Sequence, residues 1–131
     1  MIDQETMAYL NSINADISPA GSRVTCSPPP ADTDADFLVL ILPHDVAGCM
    51  ARLSMMIWIW EGSREHYQNQ AQDSFMPFRK GSVNLLVSAN AEWGRRHKAA
   101  TFVCTRLNLM NKDDRVTLFQ AVLYGECWSR K

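Results

Sequence analysis

The sequence predicts an α+β protein in which helices surround a small sheet. Residues 35–42 and 83–88 are apolar over about the length of one strand. The last third instead repeats apolar side chains at helical spacing. With 131 residues, of which 47% are hydrophobic, the chain can bury one core, so we expect a single domain over residues 1–131.

The N-terminal segment predicts a helix and then a break. Residues 3–14 carry apolar side chains at helical spacing, and Asp3 is a suitable N-cap. Pro19 and Gly21 are expected to end this helix. A short extended piece is predicted for residues 24–26, before three prolines that keep the chain stiff.

The middle of the chain predicts strands around a helix. Residues 35–42 are continuously apolar, which favours a strand buried on both faces that ends at Pro43. A helix is predicted for residues 43–54, followed by a strand that ends near Gly62. Residues 63–73 are polar and predict a loop, and residues 83–88 predict the next strand.

Two helices with clear end signals are predicted for the C-terminal part. Residues 91–108 place apolar side chains and His97 on one stripe. Asn111 is a suitable N-cap, and Asp114 follows in the first turn, where the helix dipole favours an acid. Gly125 is expected to end this second helix.

An acidic pair precedes the first apolar strand. Asp34 and Asp36 are two residues apart, so their carboxylates face the same side of a strand and repel each other unless a cation lies between them. Such oxygen ligands suit Mg²⁺ or Mn²⁺. Upstream, Gly21 and Ser22 provide an open backbone and a hydroxyl for phosphate oxygens. The alternative is an ordinary polar turn after the prolines.

This pattern resembles the signature of the nucleotidyltransferase fold, the polymerase-β-like superfamily. Its elements are Gly21-Ser22, a spacer over residues 23–33, and Asp34-Ala35-Asp36 followed by Phe37. Residues 78–87 and 106–125 further resemble small, uncharacterised phage-encoded members of that superfamily. The resemblance implies a minimal nucleotidyltransferase fold, which is a small mixed β-sheet backed by helices.

The resemblance also implies a reaction and a set of site residues. A nucleoside monophosphate would pass from a nucleoside triphosphate (NTP) to an unknown hydroxyl acceptor, with Asp34 and Asp36 holding the Mg²⁺ or Mn²⁺ ions. Active members usually add a third carboxylate from a neighbouring strand, and here that position is occupied by Asn84. An amide can ligate a metal ion but cannot act as a general base, so catalysis is the open question.

Basic residues near these motifs are candidates for binding the triphosphate. Arg79 and Lys80 precede the strand that carries Asn84, and Arg23 follows the Gly-Ser pair. Each cation suits phosphate oxygens. The alternative is that they only balance the acidic pair or protect a strand end.

A second hypothesis follows from Asn84. The protein is then a catalytically degenerate domain of phage type that binds or inhibits a host protein. Such a role predicts an exposed apolar patch that includes Trp58, Trp60 or Trp128. For an active enzyme, we expect a protein partner or a second copy of the chain to complete acceptor recognition, since 131 residues leave little room for it.

Charge and cysteine content limit the remaining classes. The formal net charge of −1 gives no general attraction to nucleic acid, so nucleic-acid binding is possible but not favoured. The basic cluster at residues 95–98 is expected to be a solvated helix face. Neither a membrane-spanning run nor a secretion leader is recognisable, which predicts a cytoplasmic protein (host cytoplasm if phage-encoded). The four cysteines lack metal-ligand spacing, and we expect them to be reduced thiols.

Overall fold

The structure is a computed structural model that describes residues 1–30, 34–61 and 75–125. Five strands form one sheet, and helices cover both of its faces. The elements in chain order are α1 (Gln4–Ser12), β1 (Asp16–Ala20), α2 (Ser22–Thr25), β2 (Ala35–Leu40), a 3₁₀ turn (Pro43–Asp45), α3 (Val46–Met55), β3 (Ile59–Trp60), β4 (Met76–Lys80), β5 (Val83–Ser88), α4 (Ala91–Leu107) and α5 (Lys112–Tyr124).

The sheet has the strand order β1-β2-β5-β4-β3 and is mixed. Strands β2 and β5 run parallel, and the other neighbouring pairs are antiparallel. The register places Asp36 opposite Asn84, and Asn84 opposite Arg79. The predicted fold class, a small mixed sheet backed by helices, is confirmed.

Each face of the sheet packs against its own pair of helices. On one face, Val39 and Leu85 pack with residues of α1 and α3. On the other face, Leu38 and Leu86 pack with residues of α4 and α5. Because side chains alternate along a strand, Asp36 shares the α4/α5 face with Leu38. The acidic pair therefore lies at the start of β2, where this second apolar core ends.

The predicted helix ends are largely confirmed. The Asp3 carboxylate accepts a hydrogen bond from the Thr6 backbone N–H at 3.1 Å and caps α1. The Asn111 side chain accepts from the first turn of α5, and Gly125 ends that helix in the left-handed conformation with φ 73°. These helices were predictable because their end signals lie within a few residues of the ends themselves.

The prediction of an extended piece at residues 24–26 is wrong. Residues Ser22–Thr25 form the short helix α2, and the extended segment lies earlier, at Asp16–Ala20. This strand, β1, was not predicted, because it contains Pro19 and has no apolar alternation. A proline is tolerated there since β1 is an edge strand of the sheet.

The middle of the chain needs two further corrections. The predicted helix forms as a 3₁₀ turn followed by α3, but the strand after it is limited to Ile59–Trp60. Ile57 adopts φ 69°, which is incompatible with an extended run. Strand β4 was not predicted; it forms a hairpin with β5 through a turn in which Gly81 has φ 62°. The loop predicted for residues 63–73 lies outside the described residues.

Cysteine burial agrees with the prediction of reduced thiols. Cys26, Cys49 and Cys104 are free and buried, while Cys127 lies outside the described residues. Burial raises the pKa of both Cys49 and Cys104 to about 11, so these two remain protonated at neutral pH. No helix in the described ranges is long and apolar enough to cross a membrane.

Candidate functional site

The acidic pair and Asn84 form one cluster at the start of the two parallel strands. Asp34 immediately precedes β2, Asp36 lies on it, and Asn84 occupies the neighbouring position on β5. The Asn84 side-chain amide, through Nδ2, donates to Asp36 Oδ1 at 2.8 Å and to Asp34 Oδ2 at 3.4 Å. The structure therefore brings together the three residues for which the sequence predicts a catalytic role.

Asn84 is oriented as a donor toward the carboxylates. Its Nδ2 hydrogens offset part of their negative charge, whereas its Oδ1 is buried without a hydrogen-bond partner. The residue is 5% exposed, so water does not freely compensate this oxygen. Turning the amide over would direct Oδ1 toward Asp34 and Asp36. That arrangement is favourable only with a cation between the three oxygens.

Arg79 adds a positive charge to the same cluster. Its Nη1 donates to Asp34 Oδ2 at 2.8 Å, and its Nε donates to Glu61 Oε2 at 2.9 Å. The hydrogen bond to Glu61, followed by that to Asp34, raises the pKa of the guanidinium. The three side chains are 27% to 36% exposed, so solvent screens these ion pairs only in part. In the structure Arg79 bridges two carboxylates, one of them a member of the acidic pair.

The Gly-Ser turn lies directly against the acidic pair. Gly21 has φ 74° and ψ −172°, a conformation that is almost restricted to glycine. A Cβ at this position would lie 2.2 Å from Asp36 Oδ2. Ser22 begins α2 immediately afterwards. The glycine is thus needed both for the backbone conformation and for the close approach to Asp36.

The other two predicted basic residues are placed differently. Arg23 is exposed on α2, one residue beyond Ser22. Lys80 lies on the opposite face of the sheet from Asp36, because it follows Arg79 on the same strand. Its Nζ is 3.2 Å from Asp3 Oδ1 and 5.7 Å from the centre of the Trp58 ring. The structure does not bring Lys80 to the acidic pair.

A small cavity of about 30 Å³, enough for one water molecule, lies behind the Gly-Ser turn. Arg115 contributes to its wall, and Nη1 of this residue donates to the carbonyl oxygens of Leu109 at 2.9 Å and Met110 at 2.8 Å. Its remaining walls come from the turn, the acidic strand and the helical layer: Gly21, Ser22, Thr25, Asp36, Leu86, His97 and Phe119. Sequence reasoning did not place Arg115 near the site, because only the packing of α5 brings it there.

His97 also lines this cavity and, unlike its basic neighbours in the sequence, is buried. Desolvation lowers its pKa to about 4, so the ring is neutral at physiological pH, and its buried Nδ1 has no hydrogen-bond partner. The ring centroid lies 5.1 Å from that of Trp93 and 5.0 Å from that of Phe119. Arg95, Arg96 and Lys98 are exposed, as predicted for a solvated face. The apolar stripe predicted for α4 already included His97 and was the signal for its burial.

The donor atoms of the cluster fit an oxygen-preferring metal ion. Asp34 and Asp36 supply carboxylate oxygens on one face of β2, and the unpartnered Oδ1 of Asn84 would supply a third oxygen if the amide turned over. No group of three histidine, cysteine or acidic side chains suited to a metal ion occurs in the described part of the chain. Carboxylate and amide oxygens suit Mg²⁺ or Mn²⁺ better than zinc, which favours cysteine and histidine, and the cluster offers two carboxylates.

No protein-family model matches the sequence, and no curated protein matches it. A search of solved structures shows similarity to terminal uridylyl transferase 4 from Trypanosoma brucei, whose structure contains UTP and UpU. The TM-score is 0.51 at 18% sequence identity, and the match covers 86% of this chain. It covers 39% of the other chain, so this chain spans about two fifths of that protein's length. This similarity shows that the chain has a small nucleotidyltransferase-like fold. It does not bear on the resemblance to phage-encoded proteins.

Proposed function

We propose that this domain is a Mg²⁺-dependent nucleotidyltransferase that transfers a nucleoside monophosphate from an NTP to a hydroxyl acceptor. One observation carries the proposal: the carboxylates of Asp34 and Asp36 meet at the Asn84 amide, with the backbone of Gly21 packed against Asp36. The fold supports it, since the similar T. brucei protein is a terminal uridylyl transferase with bound UTP. A phosphate chain at the turn and a cation at the carboxylates would then lie side by side.

Each residue of the cluster has a separate role in the proposed reaction. Asp34 and Asp36 would hold Mg²⁺ or Mn²⁺, with Asn84 Oδ1 as a neutral ligand; such an ion, when bound, offsets charge on the phosphate oxygens. Ser22 would donate its hydroxyl and backbone N–H to phosphate oxygens beside the open Gly21. Arg23, exposed on the first turn after Ser22, is placed to add positive charge along the triphosphate.

Proton removal is the weak step of this arrangement. The acceptor hydroxyl attacks the α-phosphorus in line, a new P–O bond forms, and pyrophosphate leaves. The amide of Asn84 accepts no proton, so the hydroxyl proton passes to a carboxylate oxygen of the acidic pair or to water. Because both carboxylates would also ligate the cation, they are weak bases. We therefore expect slow transfer combined with intact nucleotide binding.

A partner is part of this proposal. The match covers 39% of the similar uridylyl transferase, so most of that protein has no counterpart in this chain. We propose that a protein partner or a second copy of the chain supplies the residues that recognise the acceptor. The buried free thiols of Cys26, Cys49 and Cys104 support a cytoplasmic location.

A second candidate function is a degenerate domain that acts by binding another protein. Two observations favour it: Asn84 replaces the third carboxylate, and Arg79 pairs with Asp34. The exposed side chains near β3 are also apolar, with Ile59 64% and Trp60 58% exposed. Of the other tryptophans expected at a partner surface, Trp58 is buried, and Trp128 lies outside the described residues.

Nucleotide-dependent stabilisation separates the two functions. A ligand at 100 times its dissociation constant adds about 2.7 kcal/mol, which raises the melting temperature by roughly 5 to 10 °C in a domain of this size. We expect a shift that requires both Mg²⁺ and one NTP. Asp34→Asn should abolish the shift while the protein stays folded, since the substitution keeps the shape of the side chain.

Asp45→Asn is the matched control, because Asp45 follows the opposite end of β2, about 20 Å from Asp34 at the rise of a strand. It should preserve the shift. Unchanged binding in Asp34→Asn would contradict the assignment of the site. No shift with any NTP in the unmodified protein would favour the second function instead.

A further inference from the structure

Arg79 places a positive charge directly against the acidic pair. Arg79 Nη1 lies 2.8 Å from Asp34 Oδ2, which is one of the oxygens that a metal ion at this site would use. Asn84 Nδ2, at 2.8 Å from Asp36 Oδ1, occupies the corresponding position on the second carboxylate. One oxygen of each carboxylate therefore already accepts a hydrogen bond from the protein.

A divalent cation and these donors exclude each other. A metal ion bound to Asp34 Oδ2 would lie within a few ångströms of the Arg79 guanidinium, and the two positive charges repel at that distance. The Nδ2 hydrogens of Asn84 would likewise point at the ion. Metal binding through these two oxygens therefore requires Arg79 to leave Asp34 and the Asn84 amide to turn over.

Glu61 gives Arg79 a second holding point. Arg79 Nε donates to Glu61 Oε2 at 2.9 Å, independently of the contact that Nη1 makes with Asp34. The guanidinium can therefore rotate off Asp34 and keep one ion pair. Its released Nη1 is then a free donor next to the site, available to a phosphate oxygen.

We propose that Arg79 is an internal counter-ion that closes the metal site in the free protein and opens it when a nucleotide arrives. This inference rests on the proposed function. The phosphates attract Arg79 away from Asp34, the cation takes its place, and Glu61 keeps the displaced guanidinium at the edge of the site. Metal and nucleotide consequently favour each other's binding, and thermodynamic linkage requires the coupling to be equal in both directions. Arg79 is in this sense a positioning residue.

The direct test measures the affinity of the full chain for Mn²⁺ alone, by calorimetry or by the electron paramagnetic resonance signal of free Mn²⁺. Arg79→Ala should tighten Mn²⁺ binding at least tenfold, because it removes the competing charge. Lys80→Ala is the matched control: it removes the same charge from the next residue of β4, but on the opposite face of the sheet. That control should change the affinity by less than threefold. Circular dichroism establishes that each variant is folded.

Glu61 supplies a second test with the opposite sign. In Glu61→Gln the alternative partner of Arg79 loses its negative charge, so Arg79 stays on Asp34 more of the time and Mn²⁺ should bind at least threefold more weakly. In the Arg79→Ala background the same change should have no effect, because Glu61 acts through Arg79. A persisting effect would show that Glu61 contacts the ion itself and would overturn its assigned role.

The outcomes separate this inference from the proposed function. Mn²⁺ that binds the unmodified protein, is lost in Asp34→Asn and is unaffected by Arg79→Ala would overturn the inference and leave the metal site in place. Binding of Mn²⁺ alone to Arg79→Ala but not to the unmodified protein would support it. Binding that requires an NTP equally in both proteins would overturn it. No Mn²⁺ binding to either protein, with or without an NTP, would overturn both.

Discussion

Replacing Asn84 with aspartate tests the electrostatics of the cluster. The change removes the hydrogen bond to Asp36 Oδ1, which is worth about 1.5 to 3 kcal/mol because the acceptor is charged. It also places a third negative charge about 4 Å from each existing carboxylate, and each such contact costs about 4 kcal/mol at an effective dielectric constant of about 20. The new carboxyl avoids most of that repulsion by taking up a proton.

Protonation sets the size of the effect. Holding an aspartate neutral at pH 7, about three units above its unfolded pKa of about 3.9, costs about 4 kcal/mol, and at pH 5 it costs about 1.5 kcal/mol. In the neutral form its O–H replaces the lost donor to Asp36. The folded-state pKa of this group is raised, so the loss of stability grows as pH rises. We expect Asn84→Asp to lower the free energy of unfolding by about 4 kcal/mol at pH 7 and by about 1.5 kcal/mol at pH 5.

Metal ions should reverse the order of the two proteins. Mn²⁺ between three carboxylates turns the repulsion into attraction, so saturating Mn²⁺ should stabilise Asn84→Asp more than the unmodified protein. Urea unfolding at pH 5 and pH 7, with and without Mn²⁺, measures all four values. Asn90→Asp is the control, because Asn90 caps α4 through Trp93 and aspartate is an equally good cap there.

Two results would refute this reasoning. Equal stability of Asn84→Asp and the unmodified protein at pH 7 would mean that residue 84 does not face the carboxylates closely. Suppose that Asn84→Asp loses the expected stability but Mn²⁺ stabilises it no more than the unmodified protein. The three side chains then do not converge on one cation.

Two further predictions concern residues next to the cluster. His97 has a pKa of about 4, against 6.5 in the unfolded chain, so it should lower the free energy of unfolding by on the order of 3 kcal/mol as pH falls from about 6.5 to about 4. Urea unfolding of the unmodified protein and of His97→Leu at pH 7 and pH 4.5 isolates this contribution. The same pH dependence in the two proteins would contradict it. Gly21→Ala should cost roughly 2 to 4 kcal/mol and weaken Mn²⁺ binding, because its Cβ meets Asp36 Oδ2 at 2.2 Å. Gly81→Ala is the control, because Gly81 has φ 62° and a Cβ there would meet no atom within 4 Å. It should show only the backbone cost of about 1 kcal/mol and an unaltered Mn²⁺ affinity.

The sequence predicted the parts of the site that depend on local patterns. The spacing of two residues predicted that the Asp34 and Asp36 carboxylates converge, and the apolar runs identified β2 and β5. That Asn84 belongs beside the pair came from the resemblance, and the register confirms it. The cap signals of Asn111 and Gly125 are similarly local.

What the sequence did not predict depends on pairing between distant segments. Arg79 and Lys80 are adjacent and chemically alike, and only the existence and register of β4 decide which of them faces the acidic pair. The contact of Arg79 with Glu61 joins residues 18 positions apart, across strands β3 and β4. Strand β1, with Pro19 in it, forms because the edge of the sheet tolerates a missing N–H.

The two candidate functions differ in what they require of the acidic pair. A pure binding domain gains nothing from two adjacent carboxylates, which destabilise the fold unless something offsets them. In this chain Arg79 and Asn84 offset them through direct hydrogen bonds to Asp34 and Asp36. Asn84 leaves its Oδ1 buried and unpartnered, and turning the amide toward a cation would satisfy that oxygen but move the Nδ2 hydrogens to its present place. Binding of Mn²⁺ therefore distinguishes the two functions, because only the enzyme requires the acidic pair to hold a metal ion.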